Sequence, residues 1–313
     1  MQPVLIIAGP TASGKSRIAL AAALEFRGTV INADSMQIYR ELRILTARPS
    51  PDEEALAPHR LYGAMNAAER CSAGRWASLA KAEIDAAHAA SRLPILVGGT
   101  GFYLKALTQG LSAIPDVPAD ARAEAVSLRA QLGPEAFHAE LARIDPRAGE
   151  RLIVADAQRT TRAYEVWLAT GRTLSDWQDE PPIPPLPDAQ FLTFVIDPPR
   201  AALYAACDAR FDAMLAAGAL EEVRALAALK LDPALPALKA LGVPELLGYL
   251  EGAMSLAEAT LAAKQATRQF AKRQATWFRT QIGASERAFE QFSESLCQKI
   301  FTKIRDSRLT AQN

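Results

Sequence analysis

The sequence predicts an α/β protein: a P-loop NTPase-like core with a parallel sheet, a helical inserted subdomain and a helical C-terminal region. Three observations carry this. Gly9-Pro10-Thr11-Ala12-Ser13-Gly14-Lys15-Ser16 fits the pattern G-x-x-x-x-G-K-S/T at every fixed position. Later apolar runs end in polar or glycine-rich turns that lead into helical patterns, the rhythm of a parallel sheet. Proline-rich joints at 114–118 and 181–187 bracket a charged, helical stretch.

The first element is the apolar run Val4-Leu5-Ile6-Ile7-Ala8, a buried strand. Residues 17–24 read as a helix. Between them the loop's backbone N–H groups wrap an anion, and the helix N-terminus adds its positive dipole end. Lys15 supplies a point charge to phosphate, and the Ser16 hydroxyl is the candidate Mg²⁺ ligand. Such a loop marks nucleotide-binding and ATP-binding proteins. It specifies a diphosphate or triphosphate without saying which molecule carries it.

Residues 28–32 form a second short strand, followed by Asp34-Ser35-Met36-Gln37. An acid, a hydroxyl and an amide thus stand at a strand's carboxyl end, where open parallel sheets bind ligands. Asp34-Ser35 also reads as a simple cap on the next turn. Residues 46–49, Thr-Ala-Arg-Pro, precede a polar loop at 50–54. A helix over 73–91 leads to a third strand at 94–97, then Gly98-Gly99-Thr100-Gly101 and another helix. The glycines permit tight turns and close ligand approach. Thr100 offers the hydroxyl there. A plain strand–helix turn is the simpler alternative.

Inside the insert, Asp156 caps a helix that runs to about Thr170, with Gly171 at its end. Gln158, Arg159 and Arg162 lie on it, the two arginines on one face. A strand follows at 191–196, and the chain is helical from about Arg200. Lys264, Arg268, Lys272, Arg273 and Arg279 form a run without an acid, interleaved with Trp277 and Phe278. That helix reads either as a nucleic-acid surface or as an ordinary amphipathic helix. The tail after Ser285 reads as peripheral.

Composition narrows the class. The chain has 313 residues, is 50% hydrophobic and carries no formal net charge, so a nucleic-acid surface must be a local patch. Three scattered cysteines suggest neither a disulfide framework nor a zinc site, and the histidines show no ligand spacing. With no signal segment and no long apolar span, a cytoplasmic protein is expected.

The motifs together closely resemble the tRNA dimethylallyltransferases, also called tRNA isopentenyltransferases. The matching stretches are G-P-T-A-S-G-K-S at 9–16, D-S-M-Q-I-Y at 34–39, T-A-R-P at 46–49 and G-G-T-G-F-Y at 98–103. Q-R-T-T-R-A-Y-E-V at 158–166, G-R-T-L-S-D-W-Q at 171–178 and K-R-Q-A-T-W-F-R at 272–279 continue the series. One departure falls at Gly242-Val243-Pro244, where the family usually has Gly-Tyr and a basic residue; it puts one expected RNA contact in doubt.

The resemblance implies transfer of a dimethylallyl group from dimethylallyl diphosphate to N6 of adenosine 37 in tRNA. It implies that residues 9–16 hold the diphosphate, with Mg²⁺ on Ser16 and Arg210 as a further donor. Asp34 is then the general base, and Thr100 seats the adenine. It implies a core of 1–114 with 189–313, and an insertion, 115–188, that contacts the anticodon stem-loop. The implied tRNA contacts are Asp34, Ser35, Met36, Gln37, Thr100, Arg122, Gln158, Arg159, Thr160, Thr161 and Arg162. On the basic helix they are Lys272, Arg273, Gln274, Ala275, Thr276, Trp277, Phe278 and Arg279. A monomer without membrane contact is expected. A small-metabolite kinase and a non-catalytic RNA-binding protein are the competing classes: the first needs no tRNA, the second transfers no prenyl group.

Overall fold

The computed structural model describes residues 2–307. It divides into two compact units, one holding the chain up to Thr108 and from Pro185 onward, the other Gln109–Pro184. In the first unit six strands form one sheet in the order β3-β2-β4-β1-β5-β6, every neighbouring pair parallel. They are β1 (Gln2–Ala8), β2 (Gly28–Asn32), β3 (His59–Arg60), β4 (Leu93–Gly98), β5 (Ala189–Ile196) and β6 (Glu286–Ala288). The register sets Ala8 beside Gly98 and Asn32 beside Val97. The loops after β1, β2 and β4 therefore leave from one edge of the sheet. This gathers the three motif turns without any sequence proximity.

Helices cover both faces, which is why β1, β2 and β4 read as nearly unbroken apolar runs. α1 (Lys15–Glu25) packs Ile18, Ala19 and Ala22 against Leu5, Ile7 and Ile95. α2 is the short Pro51–Leu56 and α3 spans Ala73–Ala89. Trp76 of α3 is fully buried, donates Nε1–H to the Asn32 carbonyl at 2.9 Å and stacks on Tyr103 of α4 (Gly101–Gln109).

The second unit is helical: α5 (Ala119–Ile144), α6 (Pro146–Arg151), α7 (Ala157–Thr170) and α8 (Leu174–Asp179). α5 is two helices joined at Gly133, just before Pro134. Phe137, Leu141, Tyr164 and Val166 form its core. Buried Asp145 accepts from Ala148 N–H with one oxygen and from Ser175 N–H with the other, so one carboxylate ties two helices. The unit begins and ends a few residues before the positions 115 and 188 that the prolines suggest, because Leu111 already bridges to Ile183.

The first unit resumes with β5 and then α9 (Arg200–Ala216), α10 (Ala219–Ala228), α11 (Val243–Leu250), α12 (Leu256–Gln281) and α13 (Glu294–Asp306).

Several local expectations hold. Asp156 accepts from Arg159 N–H at the start of α7, and Gly171 ends it in the left-handed region at φ 69°. Others need correction. Residues 50–54 are not a loop: Ser50 and Glu53 form a reciprocal capping box, with Pro51 at the first position of α2. The helical stretch after Arg200 breaks at left-handed Gly218. The tail after Ser285 is not peripheral: it supplies β6 and α13, whose Leu296, Ile300, Phe301 and Ile304 are buried in the main core.

Candidate active site

The loop after β1 is curved by two left-handed residues, Ala12 (φ 62°) and Gly14 (φ 88°). Gly14 is required twice over: a Cβ there would lie 2.7 Å from the Cβ of Phe292. Gly14 stands at the N-cap of α1, whose first N–H groups have no intrahelical acceptors and face outward as anion donors. The Ser13 hydroxyl is buried beside Gly9 with no hydrogen-bond partner among the described residues. Lys15 Nζ donates to the Pro10 carbonyl at 3.1 Å, a contact to its own loop that leaves further N–H capacity.

Arg210, from α9, reaches the same loop and donates to the Thr11 hydroxyl. Burial lowers the Lys15 pKa to about 8; Asp34 opposes the shift and Arg210 reinforces it. Burial likewise lowers Arg210, against the fields of Cys207 and Asp34. Two cations crowded into a partly buried loop, beside a hydroxyl without a partner among the described residues, have the charge and donors that suit an anion.

Asp34 follows β2. Its Oδ1 accepts from Met36 N–H at 2.9 Å and more weakly from Gln37 N–H at 3.4 Å. The cap reading and the proton-acceptor reading are thus compatible, since Oδ2 has no protein donor among the described residues. Thr100 Oγ1 accepts from Ser35 N–H at 2.9 Å and faces the Ser35 hydroxyl at 3.2 Å, stitching the turn after β4 to the turn after β2. The Gln37 side-chain amide donates to the Thr46 and Ala47 carbonyls, so it serves the protein. Met36 is partly exposed.

Gln274 on α12 is a correction. It is not an RNA contact: it is buried, accepts from Thr11 N–H at 2.8 Å and donates to the Gly99 carbonyl at 2.7 Å. One amide thereby joins the phosphate loop to the glycine turn. The glycines after β4 also have a protein reason where ligand approach was expected. A Cβ on Gly99 would meet Gln274 Nε2 at 2.2 Å, and one on Gly101 would meet the Trp277 ring at 2.1 Å.

Ala275 and Phe278 point into the core and leave the implied RNA surface for the same helical reason: they lie on the face of α12 that carries Ala271 and Gln274. The exposed side holds Lys272, Arg273 and Thr276, which line an open groove of about 650 Å³ with Gln269, Trp277, Thr280 and Gln281. Lys272 and Arg273 have no carboxylate partner among the described residues. The rest of the basic run is paired: Lys264 with Asp212, Arg268 with Asp208, and Arg279 with buried Asp197 through both carboxylate oxygens.

In the second unit Thr160 is also a correction: it is fully buried and bonds back to the Asp156 carbonyl and to Arg129. Arg122 and Arg162 both pair with buried Glu165, and Arg159 pairs with Asp156. Gln158 is exposed and Thr161 half-buried. Among the described residues no cluster of acidic, histidine or cysteine side chains could hold a metal by itself. Ser16, in the first turn of α1, is exposed and is the hydroxyl the motif offers to a cation.

A P-loop after β1, an acid–hydroxyl pair after β2 and β4, and a helix with exposed basic residues on one parallel sheet define a P-loop-like α/β protein. Comparison makes this specific. The IPP transferase family matches residues 37–281. The chain is 56% identical over 308 residues to a tRNA dimethylallyltransferase of Rhodospirillum rubrum, covering 98% of this chain and 92% of the relative. It is 60% identical over 286 residues to the one of Rhodospirillum centenum, covering 91% of each. Its structure resembles the full-length tRNA isopentenylpyrophosphate transferase of Bacillus halodurans, with a TM-score of 0.71, 29% identity and coverage of 98% and 96%. It also resembles a eukaryotic dimethylallyltransferase acting on tRNA, with a TM-score of 0.82, 25% identity and coverage of 98% and 80%. The chain belongs to the IPP transferase family.

Proposed function

We propose that this protein transfers the dimethylallyl group of dimethylallyl diphosphate to N6 of adenosine 37 in the anticodon stem-loop of tRNA. The observation that carries the reading is the shared sheet edge: an anion cradle with Lys15 and Arg210 opens beside a carboxylate whose Oδ2 is free. Relatives of 56% and 60% identity bear the name of this activity.

In the reaction the allylic C–O bond breaks, the N6–C bond forms and diphosphate leaves. Negative charge grows on the departing oxygen, where Lys15, Arg210 and the loop N–H groups stabilise it. Ser13, buried and unpartnered, gives the diphosphate one more hydroxyl. The N6 proton passes to Asp34 Oδ2 while Oδ1 stays fixed by Met36 N–H. Thr100, held by Ser35, shapes the side on which the base rests. Mg²⁺, with Ser16 as its protein ligand, supplies further neutralisation of the leaving group when bound. Adenine must leave its stack to reach Asp34. Lys272 and Arg273 grip the RNA backbone.

Three free cysteines and the absence of a membrane-length apolar helix among the described residues fit work in the cytoplasm. Incubation with dimethylallyl diphosphate, Mg²⁺ and unmodified tRNA, followed by nucleoside mass analysis, tests the reading. It expects N6-dimethylallyladenosine; ATP hydrolysis without prenylation overturns it.

A further inference from the structure

The segment just before Thr46-Ala47-Arg48-Pro49 has no part in the chemistry above, yet one side chain binds it closely. Glu222, in the first turns of α10, accepts from three successive backbone N–H groups: Arg43 and Ile44 at 2.7 Å through Oε2, and Leu45 at 2.9 Å through Oε1. Consecutive N–H groups converging on one carboxylate make an anion nest, here filled from within the chain. Bonds of this kind to an ionised acceptor are stronger than neutral ones. α10 is anchored by buried Ala219, Val223 and Leu226, so the carboxylate sits on a rigid element.

The loop it holds reaches the reacting groups in two steps. The Thr46 and Ala47 carbonyls accept both N–H groups of the Gln37 side chain, at 2.8 and 2.9 Å. Ala47 is left-handed at φ 52°, a conformation that a non-glycine residue keeps only when its surroundings enforce it. Gln37 in turn lies in the turn whose N–H groups fix Asp34 Oδ1. Arg43 clamps the far side of the loop, through Glu54 and the Pro49 carbonyl.

We propose that Glu222 is a positioning residue for the acceptor half of the site: it fixes the 43–47 loop, the loop fixes Gln37, and Gln37 fixes the turn that aims Asp34. The proposal rests on the prenyl-transfer reading for its last link. None of these bonds touches the residues assigned to the diphosphate.

Glu222→Ala and Glu222→Gln test it in the full chain, with two readouts. In Glu222→Ala, amides 43–45 should exchange about ten- to hundredfold faster than in wild type. Single-turnover prenylation at saturating donor and tRNA should fall on the order of ten- to hundredfold, as small misplacements of a reacting group do. Glu222→Gln keeps an acceptor oxygen and should fall between the two; it carries the test if the alanine variant does not fold. The Kd for inorganic diphosphate should stay within about twofold, because distant sites behave independently. Unchanged exchange at 43–45 overturns the brace. Faster exchange with unchanged transfer overturns the positioning role. If wild type itself fails to prenylate tRNA, the functional reading falls and with it the last link, while the exchange result still decides whether Glu222 braces the loop.

Discussion

In the proposed reaction one carboxylate, Asp34, holds two jobs. Its Oδ1 caps the following turn, so Asp34→Asn keeps that acceptor and changes only the oxygen that takes the proton. Single-turnover prenylation should drop on the order of 10²- to 10⁴-fold with tRNA binding retained; a rate within a few fold of wild type would leave Asp34 a cap alone. Lys15 gives a pH signature. Burial lowers its pKa to about 8 in the free protein, and a diphosphate bound as proposed would hold the proton on it. As pH rises through that value, free Lys15 loses its charge, so binding must take up a proton and affinity falls. Below it, the lysine contributes no slope. Calorimetry at about pH 9, well above the free-protein value and still below an ordinary lysine's, should find proton uptake in wild type that Lys15→Met lacks. Equal uptake in the two proteins would remove Lys15 from the site.

At the scale of elements, the C-terminal strand and helix lie beyond the residues the family matches, yet they finish the sheet and cover α1. Phe292, in the segment between them, abuts Gly14 and lies 3.9 Å under the Arg17 guanidinium, so this segment also flanks the phosphate loop. If α13 is core, Ile300→Ala should cost about 2–5 kcal/mol, read from the urea midpoint. Phe289→Ala, in the same tail but 66% exposed, should change stability by no more than about 0.5 kcal/mol. Equal effects would return the tail to the periphery. α12 works on two faces: Gln274 and Phe278 face inward, and Lys272 and Arg273 face solvent.

Over the whole molecule the formal charge is zero, so RNA affinity must come from local unpaired cations. Lys272→Ala or Arg273→Ala should weaken tRNA binding and lower the salt slope by about one unit each, because each charge is free to meet a phosphate. Arg162→Ala should do less, since Glu165, shared with Arg122, already offsets part of that charge. Measured tRNA Kd against salt decides this; equal slopes in all three variants and wild type would make both surfaces ordinary solvated faces.

Where a signal is local, the sequence alone was enough. Lys15 and Ser16, the strand before them and the helix after them follow from spacing and apolar runs. The α7 helix follows from Asp156 and Gly171, because caps act within a single turn. The amphipathic stripe Leu296, Ile300, Ile304 has the same local origin, but the tail's mixed charges mask it. Tertiary structure decided the rest. Gln274 reaches Thr11 and Gly99, and Glu222 reaches residues 43–45, across separations that no periodicity encodes. Which arginines are free and which are spent on Asp197, Asp208 or Glu165 also depends on packing. The physical reason is the same in each case: helix and strand patterns are set by neighbours in the chain, whereas a carboxylate or an amide finds its partner only after the parallel sheet has brought distant strand ends to one edge.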